Sequence, residues 1–456
     1  MMKVFVAIDS FKGAAGSAAA CRAAADALRE AGVREADVRE FPISDGGEGF
    51  CECIHHYLGG TWIPLSVTGP EGRTVEAKYL IVSSETPTNR NVSGAGSVSE
   101  AGGISEASGA APKTAFIESA SACGYTLVST AHPVPREQST DSATRPDPRE
   151  LTSAGVGELI ADAIRRGCTR VVLGLGGTAT MDAGLGLYTA LRNAFSAATG
   201  STFPAATDTS CPAGAPLGNI EFTVCIDTFA PLTGPTGAAY MYGPQKGLRK
   251  DQLAEADAWL SRQASRLGLS PTAPGFGAAG GLLCGLTACL RHFAERNAVF
   301  PLCLRQNAEG KGPTLKIVSG AEYLIELSGL KEAVKEAAGK DNILIITGEG
   351  CLDEQSLTGK LTGRIATLAT EQPPATEQTT EQTTEQTTEQ TTEQSRPRTK
   401  VICLSGSIGQ GFDPANSPFD EVLVITPEGT PLSEALAATA DNIRRTLLDY
   451  CHNRSL

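Results

Sequence analysis

The stretch from Arg170 to Gly186, RVVLGLGGTATMDAGLG, decides the fold. It opens on a run of Val and Leu without polar alternation, so both faces of a strand there would be buried, and it breaks into Gly176 and Gly177 followed by small polar residues. A strand apolar on both sides and ended by a glycine loop is expected of a parallel sheet covered by helices. Five further stretches repeat the pattern: Lys3 to Ile8 before DSFKG, Val38 to Ile43 before SDGGEG, Phe222 to Ile226 before DTFAPLTGP, Asn342 to Ile346 before TGEGCLDEQ, and Lys400 to Leu404 before SGSIG. Ala-rich helical periods lie between them, as in Ala18 to Ala31 and Gly155 to Arg166. This alternation predicts βαβ units and an α/β protein with open parallel sheets.

With 456 residues the chain is too long for one core of ordinary size, so two domains with a cleft between them are expected. Its 50 glycines and 5% aromatics suit tight loops packed by small aliphatic side chains. A net charge of −13 argues against nucleic acid as the main partner, while leaving room for a small anion held by a few local donors. The 13 cysteines are odd in number, scattered and often inside apolar runs, as expected of reduced core residues in a cytoplasmic protein. Cys51 and Cys53 have C-x-C spacing, but no second pair completes a zinc site. The N-terminus enters a strand pattern at once, without the pattern of a secretory leader, and no apolar run reaches the roughly 18 residues that would span a membrane. Residues 83–111, rich in Ser, Gly, Ala and Glu, and the TTEQ repeats of residues 371–394 lack an apolar period and are expected to be disordered insertions.

In open α/β sheets ligands bind at the carboxyl ends of strands, where these motifs fall. Asp9, Ser10 and Lys12 follow the first strand, with Lys12 suited to a phosphate or carboxylate and Asp9 or Ser10 equally suited to capping a helix. SDGGEG sets Asp45 and Glu48 about two glycines, a turn through which backbone can approach a ligand closely. Gly174, Gly176 and Ala179 have dinucleotide-loop spacing, but the acidic residue expected about 20 positions later is missing, so an anion cradle with Thr178 and Asp182 beside it fits better. No P-loop and no protein-kinase motif set occurs, and the five histidines form no zinc spacing.

Taken in order, DSFKG, SDGGEG, GLGGTATMDAGLG, PLTGPTGAAYMYGPQKG, PGFGAAGG and TGEGCLDEQSLTGK resemble the motif series of class I glycerate kinases over nearly the whole chain. The resemblance implies phosphorylation of D-glycerate by ATP, usually to 2-phosphoglycerate, with Mg2+. It also implies two α/β domains, a discontinuous Rossmann-like one expected at 1–64 and 296–456 and an inserted one at 65–295. The first two and last two strand motifs would share one sheet.

Carried over by motif position, Lys12, Asp182 and Asp227 become the candidate catalytic residues, and Ser10, Asp45, Glu48 and Thr178 the substrate contacts. Gly176, Gly177, Gln245, Lys246, Glu349 and Lys360 become the nucleotide contacts, with Asp227, Glu349 and Asp353 offered to magnesium. Partners would then be D-glycerate and ATP, without nucleic acid or membrane, and a homodimer is left open. The chain departs from the family where GGSATND becomes GGTATMD, with Met181 for Asn, where Ala183 replaces the first glycine of the following pair, and where DVDNPL becomes DTFAPL. Those changes admit a kinase of another small hydroxy-acid or a silent ligand-binding homologue as alternatives, and a nicotinamide-dependent dehydrogenase stands third.

Overall fold

The computed structural model describes residues 2–83, 112–128, 146–196, 220–296, 313–353, 356, 360–370, 398–409 and 411–454. The TTEQ tract, and the expected 83–111 loop beyond Ser83, lie outside the described residues. Strands follow in the order β1 (Met2–Val6), β2 (Val38–Glu40), β3 (Thr61–Thr68), β4 (Thr74–Ser83), β5 (Lys113–Glu118) and β6 (Cys168–Leu175). They continue with β7 (Glu221–Ile226), β8 (Thr314–Ser319), β9 (Asn342–Leu352), β10 (Thr399–Ile408) and β11 (Glu421–Val424). The chain forms two compact units, one of Met1–Ile43 with Ile325–Leu456 and the other of Ser44–Leu324. The expected seams stand at 64/65 and 295/296, so residues 44–64 and, of those after the second seam, the described residues 296 and 313–324 fall in the inserted unit instead.

In the discontinuous unit the sheet runs β11-β10-β9-β1-β2, all parallel. Four of its strands are the first two and last two of the strand motifs, brought into one sheet as the family resemblance implies. β1 lies between β9 and β2, and its Val4, Phe5 and Val6 are buried on both faces of the sheet, as their apolar run without alternation leads one to expect. Helices Ser17–Glu30 and Thr439–Arg454 pack against each other, the first through Ala20, Ala24, Ala27 and Leu28, the second through Ile443 and Leu447. The spacing of the first set is the apolar stripe of a 3.6-residue period, and its small side chains let the helix lie close to its neighbours.

The inserted unit holds a sheet in sequential order β3-β4-β5-β6-β7-β8, antiparallel through β5 and parallel from β5 to β8. Val171, Leu173 and Leu175 of β6 are fully buried, as are Val224 and Ile226 of β7. Each such side chain contributes about 1.5–3 kcal/mol of burial. The parallel half is covered by Ala154–Arg165, Leu185–Ser196 and Leu282–Arg296, whose apolar residues belong to the same core. Parallel strands point their carboxyl ends the same way, so the loops after β5, β6 and β7 and the turn after β8 emerge on one edge of the sheet.

Candidate active site

The loops at that edge are packed backbone to backbone. A Cβ added to Gly174 would stand 2.6 Å from the Gly46 carbonyl oxygen, and one added to Gly176 would stand 2.7 Å from Gly47 Cα. SDGGEG therefore lies directly on the end of β6, and its glycines are explained by this close approach. Within it the buried Asp45 accepts the Gly47 N–H at 2.9 Å, which curls the turn, while Glu48 is exposed. A second layer comes from PGFGAAGG. Gly280 has φ of +69°, and a Cβ there would sit 2.0 Å from the Thr180 carbonyl oxygen, so only glycine fits against TATMDAG. Ala183 of that loop also adopts a left-handed φ, 54°, without glycine's freedom.

GPQKG closes the helix Ala238–Lys246. Gly247, at φ of 105°, takes the left-handed conformation that stops a helix, and Lys246 is the last helical residue. The Lys246 side chain is buried, and its Nζ donates to Thr178 Oγ1 at 3.1 Å and to the Thr180 carbonyl at 2.8 Å. Both acceptors are neutral. Burial is the main force pushing its pKa down, to about 8, with Cys123, Asp227 and Asp182 pulling the other way. Asp227, at the end of β7, is half-buried, and the backbone of its loop is pinned where Phe229 and Ala230 carbonyls accept from Gly275 and Gly277. Gln245, beside Lys246, is exposed.

Asp182 stands in a different setting. Its Oδ2 accepts from Ser153 N (3.0 Å), Ser153 Oγ (2.7 Å) and Gly186 N (3.0 Å), and Oδ1 from Gly184 N (3.0 Å). Ser153 occupies the N-cap position of Ala154–Arg165 without a side-chain cap bond, and Gly186 lies in the first turn of Leu185–Ser196, so the carboxylate sits where two helices offer their unpaired N–H groups. That geometry suits an anchor rather than a proton acceptor. On its outer side Arg149, Thr152, Thr189, Asn193 and Trp259 share with it a groove of about 460 Å³, in which Arg149 is paired with Asp147 and Glu255.

Sequence motifs do not single out Glu118 and Ser119, at the end of β5. Ser119 Oγ donates to the Gly176 carbonyl and accepts from Gly176 N, both at 3.2 Å, and so clips β5 to the turn after β6. Glu118 is buried, and its oxygens accept from Gly49 N at 3.2 Å and Cys51 N at 3.4 Å, at the start of helix Phe50–Leu58. The available signal is the position alone: a polar pair directly after an apolar strand.

The discontinuous unit gathers its own motif residues at the ends of β1 and β9. A Cβ on Gly350 would lie 3.9 Å from the Lys12 backbone nitrogen, so TGEG runs beside DSFKG. Ser10 is buried with its N–H donated to Asp9 Oδ1 at 2.7 Å, and Lys12 is exposed. Thr362 Oγ1 donates to Glu349 Oε1 at 2.6 Å. Asp353 is buried, with Lys360 Nζ 3.5 Å from its Oδ1 and Ser356 N donating to it at 3.2 Å. Among the described residues no group of three or more His, Cys, Asp or Glu is placed to hold a metal ion, and no helix is long and apolar enough to cross a membrane.

Glycine-walled loops at the carboxyl ends of parallel strands, with a buried ammonium among them, define an α/β enzyme of the class that takes its ligands at strand ends. The glycerate kinase family profile matches residues 4–300 and 313–394, and the chain belongs to that family. It is 30% identical over 381 residues to Glycerate 2-kinase of Escherichia coli K12, covering 81% of this chain and 82% of that protein. It is 28% identical over 463 residues to glycerate kinase of Bacillus subtilis strain 168, covering 98% of this chain and 96% of that protein. A solved structure from Salmonella typhimurium LT2 shares the fold with a TM-score of 0.57 at 24% identity, covering 100% of this chain and 98% of that one.

Proposed function

We propose that the protein transfers the γ-phosphoryl group of ATP, with Mg2+, to a hydroxyl of D-glycerate, giving 2-phosphoglycerate. The observation that carries this reading is the Lys246 ammonium, buried against two neutral oxygens at the glycine-lined end of β6. A buried cation facing neutral acceptors is costly by itself and is offset when an anion binds beside it. The carboxylate of glycerate or a transferring phosphoryl group supplies that anion. Thr178, Asp45 and Glu48 line the same strand ends and contact the substrate hydroxyls and carboxylate.

In the reaction the glycerate hydroxyl oxygen attacks the γ-phosphorus, the bond from that phosphorus to the β-phosphate oxygen breaks, and ADP leaves. Asp227 takes the hydroxyl proton, because it is half-buried at the end of β7, whereas Asp182 is held by four donors and keeps the turn in shape. In the discontinuous unit Lys12 and Lys360 supply charge for phosphate. In that same unit Glu349 and Asp353 would be the carboxylates offered to Mg2+, which usually needs only one or two from the protein when phosphates fill its other positions. Held there, the ion would supply positive charge to neutralise the phosphates.

The test is ADP release with Mg-ATP and a panel of D-glycerate, L-glycerate, glycolate, tartronate and glycerol, with the product's phosphate position read by phosphorus NMR. Turnover selective for D-glycerate with the 2-phosphate formed supports the reading. Folded protein that turns over no member of the panel sinks it. Preference for another member favours a kinase of a different hydroxy-acid, the outcome to which the altered GGTATMD and DTFAPL loops would lead.

A further inference from the structure

We propose that Glu118 is a positioning residue for substrate binding: its carboxyl group, fixed at the end of β5, holds the backbone of Gly49 and Cys51 and thereby sets where the Asp45–Glu48 turn presents its carboxylates. The inference rests on the reading of that turn as a substrate contact.

Helix Phe50–Leu58 begins at Gly49, which has a left-handed φ of 88° and no side chain with which to cap the helix. The unpaired N–H groups of its first turn therefore need an acceptor from elsewhere. Glu118 supplies it from a strand 67 residues away in sequence to Cys51 and 69 to Gly49. One oxygen serves each N–H, so the carboxyl group spans the junction at which the turn becomes the helix. The position of Glu118 is itself fixed, because the neighbouring Ser119 hydroxyl bonds both the N–H and the carbonyl of Gly176. The turn thus has three supports: the helix behind it, the end of β6 beneath Gly46 and Gly47, and Glu118 at its hinge.

The site spends a buried carboxyl group on this task. Burial, with the charges of Glu52 and Glu48 adding to it, pushes the Glu118 pKa up to about 8 against the opposing Gly49 and Cys51 N–H groups. Other charges face the region from β4, where Lys78 pairs with Glu52 at 3.0 Å and lies over the Trp62 ring. Helix capping by an ordinary Ser or Asp at position 49 would leave the turn free to pivot on its own cap. A cap reaching in from β5 ties the turn to the sheet instead.

The experiment is a double-mutant cycle on D-glycerate kinetics with Glu118→Ala, Glu118→Gln, Glu48→Ala and Glu48→Ala combined with Glu118→Ala, each verified by thermal melt. Expected are a KM for D-glycerate raised about tenfold or more by Glu118→Ala with kcat within threefold, and an intermediate KM in Glu118→Gln, which keeps one acceptor oxygen. In the Glu48→Ala background, Glu118→Ala should raise KM by less than about twofold. If Glu118→Ala fails to fold, Glu118→Gln carries the comparison in both backgrounds. Wild-type KM in a folded Glu118 variant, or an equal effect in both backgrounds, overturns the positioning role alone. A wild-type KM in Glu48→Ala removes the turn from the substrate site, and the role of Glu118 falls with it.

Discussion

Two buried ionic groups at the end of β6, Asp182 and Lys246, are treated oppositely by their surroundings. Asp182 is met by four donors, three on Oδ2 from the starts of two helices and one on Oδ1 from Gly184. Lys246 is met by a hydroxyl and a carbonyl, neither charged. A buried charge with complete partners holds structure together, whereas one with incomplete partners is stabilised when a ligand completes the set. The comparison thus separates two residues that sequence motifs group as one site, and makes opposite forecasts for their removal.

The largest effect is expected at Asp182. Replacing it with Ala strands the N–H groups of Ser153, Gly184 and Gly186 and should lower stability by about 3–5 kcal/mol, read from denaturant unfolding. A melt unchanged from wild type, together with lost turnover, would return Asp182 to the role of base and dissolve the contrast. Next, Lys246→Met should cut kcat/KM for D-glycerate at least a hundredfold, about 2.7 kcal/mol of transition-state stabilisation. Stability should stay within about 1 kcal/mol of wild type or rise, because the substitution takes an incompletely paired charge out of the core. A destabilisation as large as that of Asp182→Ala would show that Lys246 is structural too.

The pH dependence of stability sharpens the same point. Lys246 titrates at about 8 in the folded protein against 10.5 as its ordinary value, so between those pH values the unfolded chain binds more protons at this position. Its contribution therefore makes stability rise with pH across that window, and below pH 8 the folded state must carry the buried charge. Subtracting the Lys246→Met unfolding curve from wild type over pH 7–10.5 should isolate that slope, and a flat difference would contradict it. The smallest effect is at Ala183. Its φ of 54° is one that glycine adopts freely, and Ala183→Gly should stabilise the protein by about 0.5 kcal/mol after the greater freedom of unfolded glycine is counted.

The parallel strands β1, β6 and β7 were legible because burial on both faces leaves an apolar run that stops at a glycine loop, whereas β9 and β10 were read short: they run on through TGEGCL to Leu352 and through SGSI to Ile408, so those glycines lie within strands. β4 was not legible, since its exposed Glu76 and Lys78 alternate with buried Ala77 and Tyr79 on an antiparallel strand. β3 also carries Pro64 near the edge of the sheet, where a missing N–H does little harm. For the candidate site, motif spacing groups residues that lie within a few positions of one another, and Lys246 and Thr178, each in its own motif, meet in the fold. What spacing could not convey is the number of donors meeting a carboxylate: Ser153 lies 29 residues from Asp182, and Glu118 lies 67 from Cys51. Glu118 had no motif to announce it. The glycines of PGFGAAGG were visible as a motif, but their reason, a Cβ blocked by the Thr180 carbonyl, exists only once the two loops meet.

The interior place of β1 also governs how the chain can be made. Its neighbour β2 follows within 40 residues, but β9, on its other side, is more than 300 residues further along, with the whole unit of Ser44–Leu324 between them. On a ribosome that interval takes on the order of tens of seconds. Throughout it the MKVFV strand and the alanine face of Ser17–Glu30 wait without the β9 and β10 strands that complete their sheet, whereas by its end the described strands β3 to β8 of the inserted unit have all been made. The nascent chain thus carries an unfinished apolar edge until a strand made more than 300 residues later pairs with it.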